Sequence, residues 1–380
     1  MFEDIVSFIQ DLYGHKKFIG LHEPIFVGNE RKYVVDAIDS TFVSSVGAYV
    51  DSFEKHFADY VGAKKAIVTG NGTSALHAGL HLLGVQRDDE VLTQALTFVA
   101  TANAIAYCQA QPIFLDSDRE TLGMSPESLE QFLSENAAVE DGLCRNKKTG
   151  RIIRACVPMH VFGHPVKIER IVAICEKYQI AVLEDAAESM GSLWHGTHTG
   201  LFGKVGVFSF NGNKIITAGG GGMIVTHDEP LGKRAKHLTT TAKIPHPWEF
   251  EHDEMGFNYR MPNLNAALIL AQLEKLDDFI ANKRETAKRY QEFFNTKGIE
   301  FFTEPDGARS NYWLNAIFFK NQTERDRFLE TTNKNGVMTR PAWKLMPQLA
   351  MYKDCQKTDL SISTDIVQRL VNIPSSVRVS

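Results

Sequence analysis

Between about residues 60 and 230, short apolar runs alternate with stretches of helical periodicity, and this alternation constrains the fold more than any other feature. The predicted strands lie at 66–68, 89–92, 112–116, 155–159, 180–183 and 205–210, and the predicted helices between them at 73–83, 100–108 and 167–178. Such a strand–helix repeat favours a mainly parallel sheet covered by helices. The sequence therefore predicts an α/β fold for the larger part of the chain.

The rest of the 380 residues predicts a three-part organisation. We expect an N-terminal amphipathic helix at 1–20, a large domain at 21–262, and a bridging helix with a smaller C-terminal α+β domain at 263–380. One long helix over 264–290 would link the domains. The polar, glycine-punctuated segment 139–150 is expected to be an exposed loop of the large domain.

Charge and cysteine content exclude several classes of protein. A formal net charge of -5 lacks the electrostatic footprint of a nucleic-acid binder. The five cysteines are odd in number and show no C-x-x-C spacing, so neither a disulfide framework nor a metal site is expected. We see no signal peptide and no apolar run that could span a bilayer. These features predict a cytoplasmic protein without membrane or nucleic-acid partners.

Lys214 stands out because it follows a predicted strand and a Gly/Asn turn and precedes four glycines at 219–222. A lysine among apolar residues can be desolvated, which lowers the pKa of its amine and makes the amine nucleophilic. On this segment alone, a solvated loop lysine beside a flexible glycine run is the favoured interpretation.

Three further strand ends carry candidate ligand contacts. Asp185 follows an apolar strand, where it could pair with a ligand cation or simply cap a helix. Gly72, Thr73 and Ser74 open a helix after a strand, which suits either an anion site or an ordinary helix cap. Phe98 could stack on a flat ring, although core packing is the commoner role for a single phenylalanine.

Taken together, these strand ends describe one pocket. A phosphate cradle, an aromatic face, a carboxylate and an amine follow one another along the chain, and ligands of parallel sheets gather at the carboxyl ends of strands. A flat, phosphorylated aldehyde with a cationic ring would fit such a pocket. Pyridoxal 5'-phosphate (PLP) has these properties, because a lysine can bond to its aldehyde and a carboxylate can pair with its ring nitrogen.

With these motifs the chain resembles the DegT-type nucleotide-sugar aminotransferases, a branch of the fold-type I PLP enzymes. The resemblance covers about residues 21–265. The residues that carry it are Gly72-Thr-Ser-Ala-Leu76, Thr97-Phe-Val-Ala-Thr-Ala-Asn103, His160-Val-Phe-Gly163, Glu184-Asp-Ala-Ala187, Phe208-Ser-Phe210, Lys214 and Asn258-Tyr-Arg-Met261. It implies a PLP-dependent transaminase with a large domain built on a mainly parallel sheet and a smaller C-terminal α+β domain.

The resemblance also implies roles for individual residues. Lys214 and Asp185 would be catalytic, Lys214 as the cofactor-bonded general acid/base and Asp185 as the partner of the ring nitrogen. The other implied cofactor contacts are Gly72, Thr73, Ser74 and Ser209 at the phosphate, Phe98 stacked on the ring, Glu188 at the ring hydroxyl, and Asn258 reaching the phosphate of a neighbouring subunit. The last contact implies a homodimer with a shared active site.

Two positions depart from the commonest family pattern. Glu188 stands where many members have Gln, so it would contact the ring hydroxyl as an acceptor, or as a donor if protonated. Residues 219–222 are all glycine, whereas many members read Gly-Glu-Gly-Gly there. Some relatives replace the lysine with histidine and dehydrate their substrate, so the presence of Lys214 implies transamination.

Further motifs resemble those of aminotransferases in legionaminic-acid-type and related surface-glycan pathways. They lie at 24–30, 42–47, 211–214, 339–343 and 372–376. This similarity implies amination at C4 of a UDP-linked 4-keto-6-deoxy N-acetyl hexose (UDP-2-acetamido-2,6-dideoxy-hexos-4-ulose) with L-glutamate as amino donor. The alternatives are a PLP enzyme acting on another small ketone and a non-catalytic PLP-binding protein.

Overall fold

In a computed structural model of the chain, which describes residues 2–378, a seven-stranded sheet lies at the centre of the larger part of the molecule. The strands are β1 (Lys65–Thr69), β2 (Glu90–Gln94), β3 (Gln111–Leu115), β4 (Ala137–Glu140), β5 (Leu143–Asn146), β6 (Ile153–Val157), β7 (Ala181–Asp185), β8 (Leu193–Trp194), β9 (Thr197–His198), β10 (Val205–Ser209), β11 (Gly222–Thr226), β12 (Glu300–Phe301), β13 (Ala308–Arg309), β14 (Asn315–Phe318), β15 (Arg340–Pro341) and β16 (Leu370–Ile373).

The helices surround this sheet and the smaller sheets. They are α1 (Phe2–Leu12), α2 (Glu30–Asp39), α3 (Ala48–Val61), α4 (Gly72–Leu82), α5 (Val99–Tyr107), α6 (Pro126–Asn136), α7 (Ile168–Lys177), α8 (Glu229–Thr239), α9 (Asn263–Leu273), α10 (Leu276–Lys297), α11 (Gln322–Lys334) and α12 (Ser361–Arg369), with short 3-10 turns at Val161–Gly163, Met346–Gln348 and Ala350–Tyr352. None of the helices within residues 2–378 is both long and apolar enough to cross a membrane.

The central sheet has the strand order β1-β11-β10-β7-β6-β2-β3. Neighbours from β10 to β3 pair in parallel, and only β11 runs against its two neighbours. The carboxyl ends of β1, β2, β6, β7 and β10 therefore meet at one edge of the sheet. The predicted α/β fold with a mainly parallel sheet is confirmed, and each predicted strand of this sheet matches an observed strand to within two residues.

Aromatic side chains join the sheet to the helices that cover it. Phe57 of α3 lies edge-on against Phe208 of β10, with ring centroids 5.1 Å apart. Phe53, one helical turn earlier, contacts Phe210 in the same way at 5.4 Å. All four rings are fully buried, and such edge-to-face pairs stabilise a core beyond the area that they bury. This packing fixes the end of β10, from which the chain leads to Lys214.

A second, antiparallel sheet of order β12-β14-β16-β15 forms the smaller C-terminal part. The apolar face of α1 packs into the core of this part, where Ile5 and Ile9 join Tyr290, Phe294 and Phe328. The N-terminal helix thus lies against the end of the chain instead of standing alone. The domain boundaries at 20 and 262 stay predictions.

Segment 139–150, expected to be a loop, is instead largely a β-hairpin. Strands β4 and β5 pair in antiparallel register from Ala137↔Asn146 to Glu140↔Leu143. Asp141 and Gly142 form the turn, and both have positive φ, at 50° and 73°. An Asp-Gly pair with this backbone is the preferred two-residue hairpin connection, so the polar composition of the segment hid a strong turn signal.

The single helix expected over 264–290 is also wrong, because the chain forms α9 and α10 with a break at Glu274 and Lys275. Neither residue is a helix breaker. The Glu274 carboxylate accepts hydrogen bonds from the Tyr33 hydroxyl at 2.6 Å and the Asn29 amide at 2.7 Å. These contacts join the break to the start of α2, and local sequence does not predict tertiary contacts of this kind.

Candidate active site

At the edge where the parallel strands end, the fold forms a cavity of about 310 Å³. Its lining residues are Asn71, Gly72, Thr73, Leu76, Phe98, Ala100, Met159, Asp185, Ala187, Glu188, Ser209, Asn211, Asn213, Lys214, Trp313 and Trp343. Of the nine residues singled out from the sequence, all but Ser74 and Asn258 lie in this lining. Residues from five separate strand ends and from the C-terminal part therefore meet in one cavity.

The amino end of α4 forms one wall of the cavity. A Cβ atom at Gly72 would lie 2.9 Å from the Cβ of Ser209, so only glycine lets the helix start so close to β10. The hydroxyls of Thr73 and Ser209 have no hydrogen-bond partner among residues 2–378 and can serve a ligand. The free N–H groups and positive dipole end of a helix, joined by two hydroxyls, suit an anion.

Ser74 does not line the cavity. Its hydroxyl donates to the Asn71 carbonyl at 2.8 Å and accepts from the Asn71 N–H at 3.2 Å, while the Asn71 side chain accepts from the Ser74 N–H at 2.8 Å. This reciprocal capping box begins α4. Ser74 thus stabilises the helix start and lies outside the cavity lining.

Asp185 ends β7 and is 2 % exposed. Its carboxylate accepts hydrogen bonds from the Thr101 hydroxyl at 2.7 Å and from the Ala187 N–H at 3.2 Å. Burial raises the pKa of this carboxyl above its usual range, and the hydrogen bonds from Thr101 and Ala187 together with the charge of Lys214 only partly offset that effect. No helix begins here, because the chain enters turns after Asp185, so the helix-cap alternative is wrong.

Glu184, the residue before it, points away from the cavity and anchors the strand end. Its carboxylate accepts hydrogen bonds from the N–H groups of Gly200, Phe202 and Gly203 at 2.6–2.8 Å and lies 3.1 Å from the His160 ring. Alternation along β7 explains the opposite directions of the two acids. The buried contacts of Glu184 hold Asp185 at the cavity.

Lys214 lies in the turn that follows β10, with its side chain only 12 % exposed. The Nζ atom is 3.2 Å from the Glu188 carboxylate and 4.1 Å from the centroid of the Trp313 ring. A solvated loop lysine would be exposed, so that alternative interpretation is wrong. The amine instead faces the interior of the cavity between an acid and an aromatic ring.

Glu188 is the acid that faces Lys214. One carboxylate oxygen contacts the amine, and the other accepts the N–H of Phe162 at 2.9 Å. Burial raises the pKa of the Glu188 carboxyl to about 7, since the opposing effects of Lys214 and the backbone N–H are smaller. The site therefore holds an acid that titrates near neutral pH.

Aromatic rings form the open side of the cavity. Phe98 begins α5 and is 47 % exposed, so it is not a core residue. Its ring lies edge-on to Trp343, with centroids 5.9 Å apart. Trp313 is held by a 2.7 Å hydrogen bond from its indole nitrogen to the Asn213 carbonyl. A planar ligand could enter between these rings and the strand ends.

Asn258 lies outside this cavity. It is exposed, and its backbone pairs with that of Thr240 in an isolated bridge. Its side-chain amide forms no hydrogen bond within the part of the chain that the structure describes. Asn258 therefore takes no part in the cavity of its own chain.

Sequence reasoning missed three side chains that shape the site. Thr101 stood within a motif without a role of its own, although its position in the first turn of α5 beside the strand ends could have suggested a contact with Asp185. Trp313 and Trp343 come from the C-terminal part. No local pattern could reveal that a distant segment returns to cover the cavity.

Comparison with known proteins identifies the family of the chain. Residues 25–380 match the DegT/DnrJ/EryC1/StrS aminotransferase family. GDP-perosamine synthase of Escherichia coli O157:H7 is 36% identical over 359 residues, which cover 94% of this chain and 93% of that protein. EpsN of Bacillus subtilis, named provisionally as a pyridoxal phosphate-dependent aminotransferase, is 36% identical over 95% of this chain and 91% of its own.

Solved structures agree with these matches. The aminotransferase TlmJ from Streptoalloteichus hindustanus superposes with a TM-score of 0.85 at 26% identity, over 94% of this chain and 93% of its own. A DegT DnrJ EryC1 StrS aminotransferase from Brucella abortus gives 0.84 at 26% identity, over 93% and 91%. Fold, site and sequence matches lead to one conclusion: the chain belongs to the DegT/DnrJ/EryC1/StrS aminotransferase family and is a PLP-dependent aminotransferase.

Proposed function

We propose that this enzyme transfers the amino group of L-glutamate to C4 of a nucleotide-linked 4-keto-6-deoxy sugar, in surface-glycan or nonulosonic-acid biosynthesis in the cytoplasm. The observation that carries the proposal is the meeting of Lys214, Asp185 and the amino end of α4 in one cavity. An amine, a buried carboxylate and an anion site are the groups that a PLP-dependent transamination needs.

The residues present fit the phosphate and the ring of PLP. The amino end of α4 with the unpaired hydroxyls of Thr73 and Ser209 would hold the phosphate. Phe98 would lie against the ring face. Asp185 is a carboxylate whose pKa is raised by burial, and a cationic ring nitrogen beside it would stabilise its ionised form.

When bound, PLP supplies an aldehyde that takes up amino groups and a ring that takes up electrons. Asp185 would keep the ring nitrogen protonated, and the Thr101 hydroxyl orients the carboxylate for this task. Lys214 would bond to the cofactor through Nζ and, once released, would move the proton between the substrate carbon and the cofactor. Glu188 would contact the ring hydroxyl.

The choice of substrate rests on similarity. Relatives over nearly the whole chain include GDP-perosamine synthases of Escherichia coli O157:H7 and Vibrio cholerae, at 36% and 34% identity. Their names describe the synthesis of a GDP-linked product. The motifs at 24–30, 42–47 and 339–343 instead favour UDP-2-acetamido-2,6-dideoxy-hexos-4-ulose as the acceptor here. We retain a GDP-linked keto sugar as the second candidate.

We further propose that the enzyme is a homodimer with a shared site. Exposed large apolar side chains are concentrated in residues 26–46, with Phe26, Val27, Phe42 and Val46 among them, and again at 248–255. Exposed apolar side chains that gather on a surface commonly belong to a protein interface, and we assign these two segments to the interface between the copies. Asn258 follows the second segment directly, and its free amide would reach the phosphate bound by the second copy.

The substrate proposal predicts a product pattern. With PLP and L-glutamate, the UDP-linked N-acetyl 4-keto sugar should be aminated with a kcat/KM at least about tenfold above that of GDP- or dTDP-linked 4-keto-6-deoxy sugars. Mass spectrometry would measure the amino sugar, and a coupled assay would measure 2-oxoglutarate.

Lys214→Ala protein is the control for uncatalysed amination. A higher kcat/KM with the GDP-linked sugar would contradict the UDP assignment and identify the GDP-linked keto sugar as the acceptor. Amination of a small ketone with no nucleotide sugar accepted would refute the sugar substrate, and binding of PLP without turnover of any donor would indicate a binding protein.

The pairing role of Asp185 predicts opposite effects on activity and stability. Asp185→Asn should lower turnover by about 100-fold or more, because a preorganised charge at the ring nitrogen is lost. The native pKa of Asp185 lies above its unfolded value, so ionising this carboxyl near neutral pH costs stability. The cofactor-free variant should therefore melt at the same temperature as the parent or higher at pH 7. Turnover close to that of the parent would refute the pairing.

The shared site predicts complementation between two inactive chains. Lys214→Ala and Asn258→Ala proteins should each be weak, yet a mixture that exchanges subunits should regain activity. In a mixed dimer one site carries both substitutions and the other carries neither, so up to one of the two sites is restored.

A mixture of two Lys214→Ala proteins that carry different tags serves as the control and should stay inactive. If native mass spectrometry confirms exchange while no activity returns, Asn258 acts within its own chain and the shared site is wrong.

A further inference from the structure

Glu188 holds an unusual place beside Lys214. Within residues 2–378 it is the one acid in contact with the amine, at 3.2 Å, and its side chain is only 1 % exposed. The resemblance to the family left the role of this carboxyl open, since many members have an uncharged Gln there. An ionised pair in contact inside the site can exchange a proton directly.

We propose that Glu188 is the base that takes the proton from the Lys214 ammonium and so frees the amine to bond to the cofactor. The proton moves from Nζ to the nearer carboxylate oxygen. The neutral amine then bonds to the aldehyde carbon, and the aldehyde oxygen leaves as water with the two remaining amine hydrogens. Glu188 keeps the transferred proton, so atoms and charge balance.

The geometry holds this carboxyl in place. The Phe162 N–H binds the oxygen that does not face the amine, and the Asn311 amide donates to the Glu188 backbone carbonyl at 2.9 Å. The Lys214 amine also lies against Trp313, with Nζ 4.1 Å from the ring centroid. The two side chains therefore meet in a fixed arrangement from which bulk water is largely excluded.

The charges around Glu188 match this role. Among residues 2–378, Lys214 in the turn after β10 is the cation that faces it, and Asp185 on its own segment is the one further charged group that influences it. Phe162 and Asn311, from the other elements packed against it, contribute only uncharged groups. Because burial raises the pKa of the Glu188 carboxyl to about 7, it can hold a proton at neutral pH, which an exposed glutamate cannot.

The sign of the pH dependence follows from this. Below about 7 the carboxyl is protonated and cannot act as a base, whereas above that pH it is ionised and available. Attachment of PLP to the cofactor-free enzyme should therefore speed up as pH rises through about 7 and then level off.

The test measures this attachment by stopped-flow absorbance on mixing cofactor-free enzyme with PLP, without amino donor or sugar. Glu188→Gln keeps the shape of the side chain but removes the base. At pH 7 its attachment should be about 100-fold slower or more, and its rate should keep rising with pH where that of the parent levels off. Pyridoxine 5'-phosphate, which lacks the aldehyde, measures the affinity of each protein without attachment, and attachment rates are compared at saturating PLP so that a change in affinity does not affect them.

Glu169→Gln, which removes an exposed carboxylate, is the matched control and should behave as the parent does. Attachment to Glu188→Gln at the parental rate and with the parental pH profile would overturn the proposal. If Glu188→Gln has a clearly lower melting temperature than the parent, Glu188→Ala is tested in its place. Added acetate should then restore the attachment rate of Glu188→Ala in proportion to the acetate concentration. Absence of this rescue would contradict the role of Glu188 as the base.

This inference rests on the proposed cofactor role of Lys214 but not on the substrate. Attachment is measured before any transamination, so a wrong sugar or donor would leave its outcome unchanged. A failure of Glu188→Gln to differ from the parent would likewise leave the substrate proposal standing.

Discussion

The common direction of the central strands is the constraint on which the site depends. Parallel pairing from β10 through β7 and β6 to β2 brings their carboxyl ends to one edge, and β11 lets β1 end there too. Residues far apart in the chain, such as Gly72 and Ser209, thereby come into contact. The backbone hydrogen bonds that define the register of the strands thus also set the distance between the amino end of α4 and Lys214.

Three acids close together in the chain show how position decides the chemistry of a carboxylate. Glu184 is satisfied by three backbone N–H groups and the His160 ring, and it serves the fold. Asp185 receives two hydrogen bonds and faces the cavity with its pKa raised by burial. Glu188 is buried in contact with the Lys214 amine, and its pKa is also raised by burial. Burial without full compensation marks the two acids that can act on a ligand.

The sequence predicted those parts of the molecule that local patterns determine. Strand–helix alternation indicated the sheet, and the order of strand-end motifs indicated Lys214 and Asp185 as neighbours. Contacts between distant segments were beyond its reach. Glu274 at the break after α9 is hydrogen-bonded to α2, and Trp313 and Trp343 reach the cavity only because the C-terminal part folds back over it. At Ser74 the sequence left an anion contact and a helix cap open, and the structure shows the capping box.

The most direct test of this account is the identity of the lysine that holds the cofactor. PLP-loaded enzyme would be reduced with borohydride, digested and mapped by mass spectrometry. We expect the pyridoxyl mass on Lys214 alone, and none on Lys214→Ala protein. Label on another lysine, for instance the fully buried Lys283, would contradict the assignment of the cavity as the active site.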